Sequence, residues 1–220
     1  SAIAIIPARF GSTRLQGKPL LDTNGKPMIV RVWEVVRKVL PTYVATDDSR
    51  IADVIKREGG NAILTSVSCE NGTARVAEAF AHINTDSKIV LNIQGDEPMV
   101  SETDINILLT LMQHESVKIG TLVTSILKED HQSGSNCYVD RADDGKCHDF
   151  SRRIENSSLK KYRHVGMYGF DSSILDELTS LKWPYVVNCG YDLSKDMLTY
   201  LLTNVGDSEV TELAERDLDW

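Results

Sequence analysis

The chain has 220 residues, with 24 Lys or Arg against 32 Asp or Glu, and its formal net charge is −8. This length suits one α/β domain with a sizeable core, and the acidic balance argues against general binding to nucleic acid or to anionic membranes. No apolar run approaches the roughly 20 residues of a membrane span. The start of the chain has no signal-peptide pattern, and its four cysteines are scattered without a C-x-x-C pair. We therefore expect a cytoplasmic protein in a reducing compartment.

The first half of the chain alternates short apolar strands with amphipathic helices. We predict strands at Ala2–Ile6, Thr42–Thr46, Ala62–Thr65, Lys88–Ile93 and Gly120–Leu127. We predict helices at Met28–Val39, Arg50–Glu58, Ala74–Ile83 and Glu102–His114. This alternation is typical of an α/β fold with a doubly wound, mostly parallel sheet that helices cover on both faces. Pro7 should end the first strand, because it has no N–H to donate to a ladder.

The later half of the chain has a looser pattern. Between Lys128 and Ser158, the segments Tyr138–Val139 and Cys147–Phe150 predict a small antiparallel excursion. Val165–Phe170 predicts another strand. Further helices are predicted at Ser172–Thr179, Leu193–Leu202 and Val210–Leu218. The chain shows no internal repeat or low-complexity segment, and its length favours a single domain over residues 1–220.

The stretch Pro7–Lys18 follows the first strand and interleaves small residues with cations, namely Gly11, Ser12, Thr13 and Gly17 with Arg9, Arg14 and Lys18. Small residues let backbone N–H groups approach a ligand closely, and such groups with fixed cations bind polyanions. Residues 1–38 carry an excess of five positive charges in an acidic chain, which favours a small anionic ligand over a solvated polar loop. The loop matches neither Walker A nor G-x-G-x-x-G, which disfavours a dinucleotide-dependent dehydrogenase.

A second polar segment, Gln94–Pro98, follows the fourth predicted strand. The carboxylate of Asp96 beside Gly95 could reach a hard cation such as Mg²⁺, which takes few carboxylates and several waters. Alternatively, Asp96 or Glu97 caps the helix that follows. Because ligands of open α/β sheets bind outside the carboxyl ends of the strands, we expect this segment and the Pro7–Lys18 loop to converge on one crevice.

Several segments, in their order along the chain, resemble the signature motifs of sugar-acid cytidylyltransferases, in particular the 3-deoxy-manno-octulosonate (Kdo) cytidylyltransferase family. They are Ile6–Leu20, Asn24–Ile29, Val44–Asp48, Asn71–Thr73 with Arg75, Asn92–Pro98 and His164–Tyr168. The resemblance implies a Rossmann-like sheet of the nucleotidyltransferase type, with a nucleotide-binding core over about residues 1–127. It also implies that residues 128–220 bind the acceptor and form a homodimer.

This resemblance further implies a Mg²⁺-dependent transfer of CMP from CTP to Kdo or a related 2-keto sugar acid, with release of pyrophosphate. The product would feed lipopolysaccharide or capsule assembly, and no nucleic acid or membrane partner is implied. Arg9, Lys18 and the metal on Asp96 would neutralise the developing charge. The candidate nucleotide contacts are Pro7, Ala8, Arg9, Gly11, Ser12, Thr13, Arg14, Lys18, Thr73, Arg75 and Gln94. The candidate acceptor contacts are Gln94, His164 and Tyr168.

The match to the family is weaker beyond the first hundred residues. Relatives supply a second metal carboxylate from a Gly-x-Asp-Thr-Pro-Glu-Asp segment, for which Asp207 is the nearest candidate here and Asp217 or Asp219 is the alternative. Asn71 and Ala74 replace the Ser and Asp of the family's Ser-Gly-Thr-Asp-Arg motif. The alternatives are therefore a different acceptor, such as another 2-keto sugar acid, an amino-Kdo or a phosphonate, or a nucleotide-binding protein without turnover.

Overall fold

The predicted alternation of strand and helix is present in the computed structural model. The structure describes residues 1–11, 15–115, 117–126, 136–143, 146–151, 160–175 and 211–216. At residues 148, 149, 160 and 211–216 it describes the backbone alone. The strands are β1 (Ala2–Ala8), β2 (Thr42–Thr46), β3 (Asn61–Leu64), β4 (Ile89–Asn92), β5 (Ile119–Thr124), β6 (Tyr138–Arg141), β7 (Cys147–Ser151), β8 (Lys160–Asp171) and β9 (Thr211–Arg216). The helices are α1 (Met28–Val36), α2 (Ser49–Arg57), α3 (Gly72–His82) and α4 (Glu102–Met112).

The strands form one sheet in the order β3-β2-β1-β4-β8-β5-β9. β1 pairs in parallel with both β2 and β4, β2 pairs in parallel with β3, and β5 pairs in parallel with β9. β8 is antiparallel to β4 and β5. β6 pairs with β8 and β7 pairs with β6, both antiparallel, and these two strands form the predicted antiparallel excursion. The prediction of a doubly wound, mostly parallel sheet is confirmed, and the carboxyl ends of β1, β2 and β4 share one edge.

Apolar side chains are buried on both faces of this sheet. Along β1, alternate residues enter different clusters: Ile6 packs with residues of α1, α2 and α4, and Ile5 packs with residues of α3. Val90 and Leu91 of β4 divide in the same way. Burial on both faces explains why these strands have nearly continuous apolar runs rather than alternation. Of the helices in the described part of the chain, none has the length and apolar character to cross a bilayer.

The prediction that Pro7 ends the first strand is wrong, because β1 runs on to Ala8. In this strand Ala4 donates to Pro41 at the start of β2, whereas Ile5 accepts from Ile93 after β4. Successive residues of a strand point their backbone N–H and C=O groups to opposite sides. The nitrogen of Pro7 therefore faces the β4 side, beyond the last residue of β4 that pairs with β1. No ladder donor is required there, and the β2 ladder continues through Ala8.

The predicted helix at Val210–Leu218 is also wrong, because residues 211–216 form β9 in parallel with all of β5. Glu, Leu, Ala and Arg favour a helix when considered alone, but pairing at a sheet edge overrides such weak preferences. Residues 172–175 begin the helix predicted at Ser172–Thr179. The helix predicted at Leu193–Leu202 lies outside the described residues.

A buried ion pair joins the end of β2 to α3. The guanidinium of Arg75 lies 3.0 Å from Asp47 Oδ2, with side-chain exposures of 3% and 15%. Arg75 also donates to Thr65 Oγ1 at 2.6 Å and to the carbonyl of Ser66. A charge this deeply buried is tolerated only with such partners, so the pair fixes α3 against the carboxyl edge of the sheet.

We expect Asp47→Ala to lower the free energy of unfolding by about 3 kcal/mol, because it leaves the cation of Arg75 buried without its carboxylate. The control is Lys38→Ala, which removes a pair with Glu102 whose side chains are 61% and 51% exposed and should cost less than about 1 kcal/mol. Urea unfolding measures both values. Equal losses in the two variants would contradict the structural role of Asp47.

Candidate active site

The Pro7–Lys18 loop folds back on itself at the carboxyl end of β1. Gly17 adopts a left-handed conformation with φ of 71° and donates its N–H to the carbonyl of Phe10 at 2.9 Å. A Cβ on Gly17 would lie 3.1 Å from the ring of Phe10. Glycine is therefore needed both for the backbone angle and for the close packing, and the turn directs Lys18 back towards the sheet edge.

Phe10 anchors the loop to the end of β2, a role that the sequence analysis missed. Its N–H donates to Asp47 Oδ1 at 3.3 Å, and the guanidinium of Arg50 lies 3.4 Å from its ring centroid. Arg50 is held in turn by two hydrogen bonds to Asp48, which lower the pKa of the Asp48 carboxyl group. A signal was available, because Asp47 and Asp48 follow a predicted strand at the edge where ligands bind.

The end of β4 approaches the end of β1 very closely. A Cβ on Gly95 would lie 3.0 Å from the carbonyl oxygen of Pro7 and 2.9 Å from Ile29 Cδ1. Asp96 follows immediately, and its side chain is 47% exposed. Lys18 Nζ lies 2.7 Å from Asp96 Oδ2. The expectation that the loop and the Gln94–Pro98 segment converge on one crevice is therefore confirmed.

The Asp96 carboxylate has the chemistry that a magnesium ion requires. It already pairs with a cation, the ammonium of Lys18. Its exposure leaves room for water, and nucleotide-bound Mg²⁺ combines one or two carboxylates with waters and phosphate oxygens. The described residues contain no group of three or more His, Cys, Asp or Glu side chains that could hold a metal.

Two further candidates, Gln94 and Thr73, are joined by hydrogen bonds through Asn92. Gln94 donates to Asn92 Oδ1 at 3.2 Å, and Asn92 donates to Thr73 Oγ1 at 3.2 Å. Thr73 is fully buried and Arg75 is 2% exposed, so both lie in the wall of the site. Their assignment as nucleotide contacts stays a prediction, since Arg75 is engaged by Asp47.

His164 and Tyr168 lie side by side on β8, with ring centroids 5.1 Å apart. Tyr168 is 1% exposed and stacks on Phe170. His164 Nε2 lies 2.8 Å from Thr121 Oγ1, and burial lowers the pKa of His164 to about 3. The imidazole is therefore neutral at physiological pH. Its contact with an acceptor, and that of Tyr168, stay predictions.

The remaining predicted site residues divide into two groups. Arg9 and Gly11 are exposed, whereas Pro7 and Ala8 are buried at the end of β1. Ser12, Thr13, Arg14 and Asp207 lie outside the described residues. The structure therefore brings Lys18, Asp96 and Gln94 to one edge of the sheet, with Arg9 on the same loop as Lys18.

The chain is similar to known proteins in both sequence and fold. The profile of the family described as "Cytidylyltransferase" matches residues 3–184. The chain is 35% identical to a 3-deoxy-manno-octulosonate cytidylyltransferase of Phocaeicola vulgatus, over 81% of this chain and 77% of the relative. It is 34% identical to the protein of that name from Thermodesulfovibrio yellowstonii, over 99% of this chain and 98% of the relative.

A solved structure of CMP:2-keto-3-deoxy-manno-octonic acid synthetase complexed with CTP is also similar, with a TM-score of 0.79 and 32% identity. The superposition covers 98% of this chain and 90% of that one. The fold is therefore shared over nearly the whole length of both chains. Together with the profile match over residues 3–184, this likeness establishes that the chain belongs to the cytidylyltransferase family.

Proposed function

We propose that this protein transfers CMP from CTP to a hydroxyl group of Kdo or a closely related 2-keto sugar acid and releases pyrophosphate. The observation that carries the proposal is the meeting of Lys18 with Asp96, 2.7 Å apart at the shared carboxyl edge of β1 and β4. A cationic loop and a metal-type carboxylate at this edge suit a nucleoside triphosphate. Membership of the cytidylyltransferase family and the names of the relatives support CTP as the donor and Kdo as the acceptor.

The reaction requires attack of the acceptor hydroxyl on the α-phosphorus while pyrophosphate leaves in line. Such chemistry depends on positioning and on charge neutralisation, and it needs no covalent nucleophile. Arg9 binds phosphate oxygens through its planar guanidinium, and Lys18 supplies a point charge. Backbone N–H groups around Gly11 add further donors to the phosphates.

We assign Asp96 as one metal ligand and Asp207 as the candidate for a second. A magnesium ion held by these carboxylates would supply charge neutralisation for the phosphates and the leaving group. Before the ion binds, Lys18 neutralises Asp96; once CTP is present, the ammonium is free to turn to the phosphates. Gln94, His164 and Tyr168 form the acceptor side of the site, and the later half of the chain supplies the homodimer contacts.

We expect Asp96→Asn to lower kcat by at least about 100-fold, because the neutral amide holds Mg²⁺ poorly and charge stabilisation is lost from the transition state. Stability should change by less than about 1 kcal/mol, since the ion pair with Lys18 is exposed. Glu102→Gln, which alters an exposed ion pair with Lys38, is the control and should retain full activity. A wild-type rate of pyrophosphate release from Asp96→Asn with Mg²⁺ would refute the metal assignment.

A panel of acceptors tests the substrate directly. With CTP, Mg²⁺ and a pyrophosphate readout, we expect turnover with Kdo to exceed that with an amino-Kdo, another 2-keto sugar acid or a phosphonate. A different order would reassign the acceptor within the same reaction. Calorimetric binding of CTP with no pyrophosphate release from any acid would instead identify a nucleotide-binding protein without turnover.

A further inference from the structure

β8 contains an irregularity opposite the middle of β5. Thr121 pairs with Tyr168 and Val123 pairs with His164, so one residue of β5 faces three residues of β8. Gly166 lies in the middle of this bulge in a left-handed conformation, with φ of 79°. A Cβ on Gly166 would lie 3.7 Å from Glu97 Oε1 and 4.0 Å from Gln94 Cγ. The bulge therefore faces the carboxyl end of β4, and bulges commonly re-aim a side chain beside an active site.

The hydroxyl group of Thr121 binds both ends of this bulge. It donates to the carbonyl of Met167 and lies 2.8 Å from His164 Nε2, and Thr121 is fully buried. A hydroxyl group has one hydrogen, and a carbonyl can only accept. Because that hydrogen goes to Met167, the oxygen of Thr121 must accept the hydrogen of His164 Nε2.

This constraint determines the tautomer of His164. A neutral imidazole has one N–H and one unprotonated nitrogen, so an Nε2–H group leaves Nδ1 with a lone pair. Burial supports the neutral state, since it lowers the pKa of His164 to about 3. Phe150 packs edge-on against the ring, with centroids 5.5 Å apart, and Tyr168 packs beside it. The ring is thereby held in orientation as well as in tautomer.

We infer that Thr121 is a positioning residue, which fixes His164 as the Nε2–H tautomer so that Nδ1 accepts a hydrogen bond from a hydroxyl group of the acceptor. This inference rests on the proposed function, because it uses the placement of His164 on the acceptor side. The tautomer also determines which group of the acceptor Nδ1 can bind. An ionised carboxylate has only acceptor oxygens, so Nδ1 selects a hydroxyl group, and the carboxylate of the sugar acid binds elsewhere.

Nitrogen-15 NMR of the histidine-labelled protein tests the tautomer without any substrate. The chain has five histidines, and His164→Asn identifies the signals of His164 by their loss. We expect wild-type protein and Thr121→Ser to show protonated Nε2 and unprotonated Nδ1. Thr121→Val, which has nearly the same shape but no hydroxyl, should lose that preference. Protonated Nδ1 or an imidazolium in the wild-type protein would overturn the inference, even if Thr121→Val fails to fold.

Kinetics test the consequence for the acceptor. We expect Thr121→Val to raise KM for the acceptor about tenfold, which corresponds to one lost hydrogen bond, with KM for CTP unchanged and with Thr121→Ser close to wild type. Equal rises in KM for both substrates, or equal effects of Val and Ser, would contradict a role in acceptor recognition. If wild-type protein does not turn over Kdo, the proposed function fails, while the NMR result still decides how Thr121 acts on His164.

Discussion

The close approach of the ends of β1 and β4 is the constraint on which the site depends. A side chain at position 95 would crowd the end of β1, because its Cβ would lie 3.0 Å from the carbonyl oxygen of Pro7. This approach places Asp96 within reach of Lys18, 78 positions away in the chain and 2.7 Å away in space. In the absence of a ligand, the ammonium of Lys18 and the carboxylate of Asp96 neutralise each other. Neither charge therefore requires a buried partner.

Two ion pairs at this edge of the sheet differ in burial. Asp47 and Arg75 form a buried pair, and Asp47 also holds the backbone of Phe10 in the Pro7–Lys18 loop. Breaking such a pair is costly because it strands a desolvated charge. Lys18 and Asp96, in contrast, are 37% and 47% exposed, and exposed pairs contribute little to stability. Their contact can therefore be lost without loss of the fold, which suits the proposed exchange of this pair for phosphate and metal.

The sequence was sufficient to predict the elements whose signal is local. Apolar periodicity predicts the buried strands and the amphipathic helices, and it also predicts that Asp96 follows the end of a strand. The antiparallel insertion of β8 between β4 and β5 was not predictable, since pairing direction depends on distant partners. β9 was misassigned for the same reason. Thr121 and His164 are 43 residues apart, and no pattern in the chain links a hydroxyl to that imidazole.

The proposed reaction requires one crevice that binds both the triphosphate and its metal. A crystal structure with CTP and Mn²⁺, used in place of Mg²⁺ for its anomalous scattering, tests this most directly. We predict phosphate oxygens in contact with Arg9 and Lys18, and an anomalous peak beside the carboxylate of Asp96. A nucleotide bound away from the Pro7–Lys18 loop, or a metal peak with Asp96 still paired to Lys18, would contradict the account.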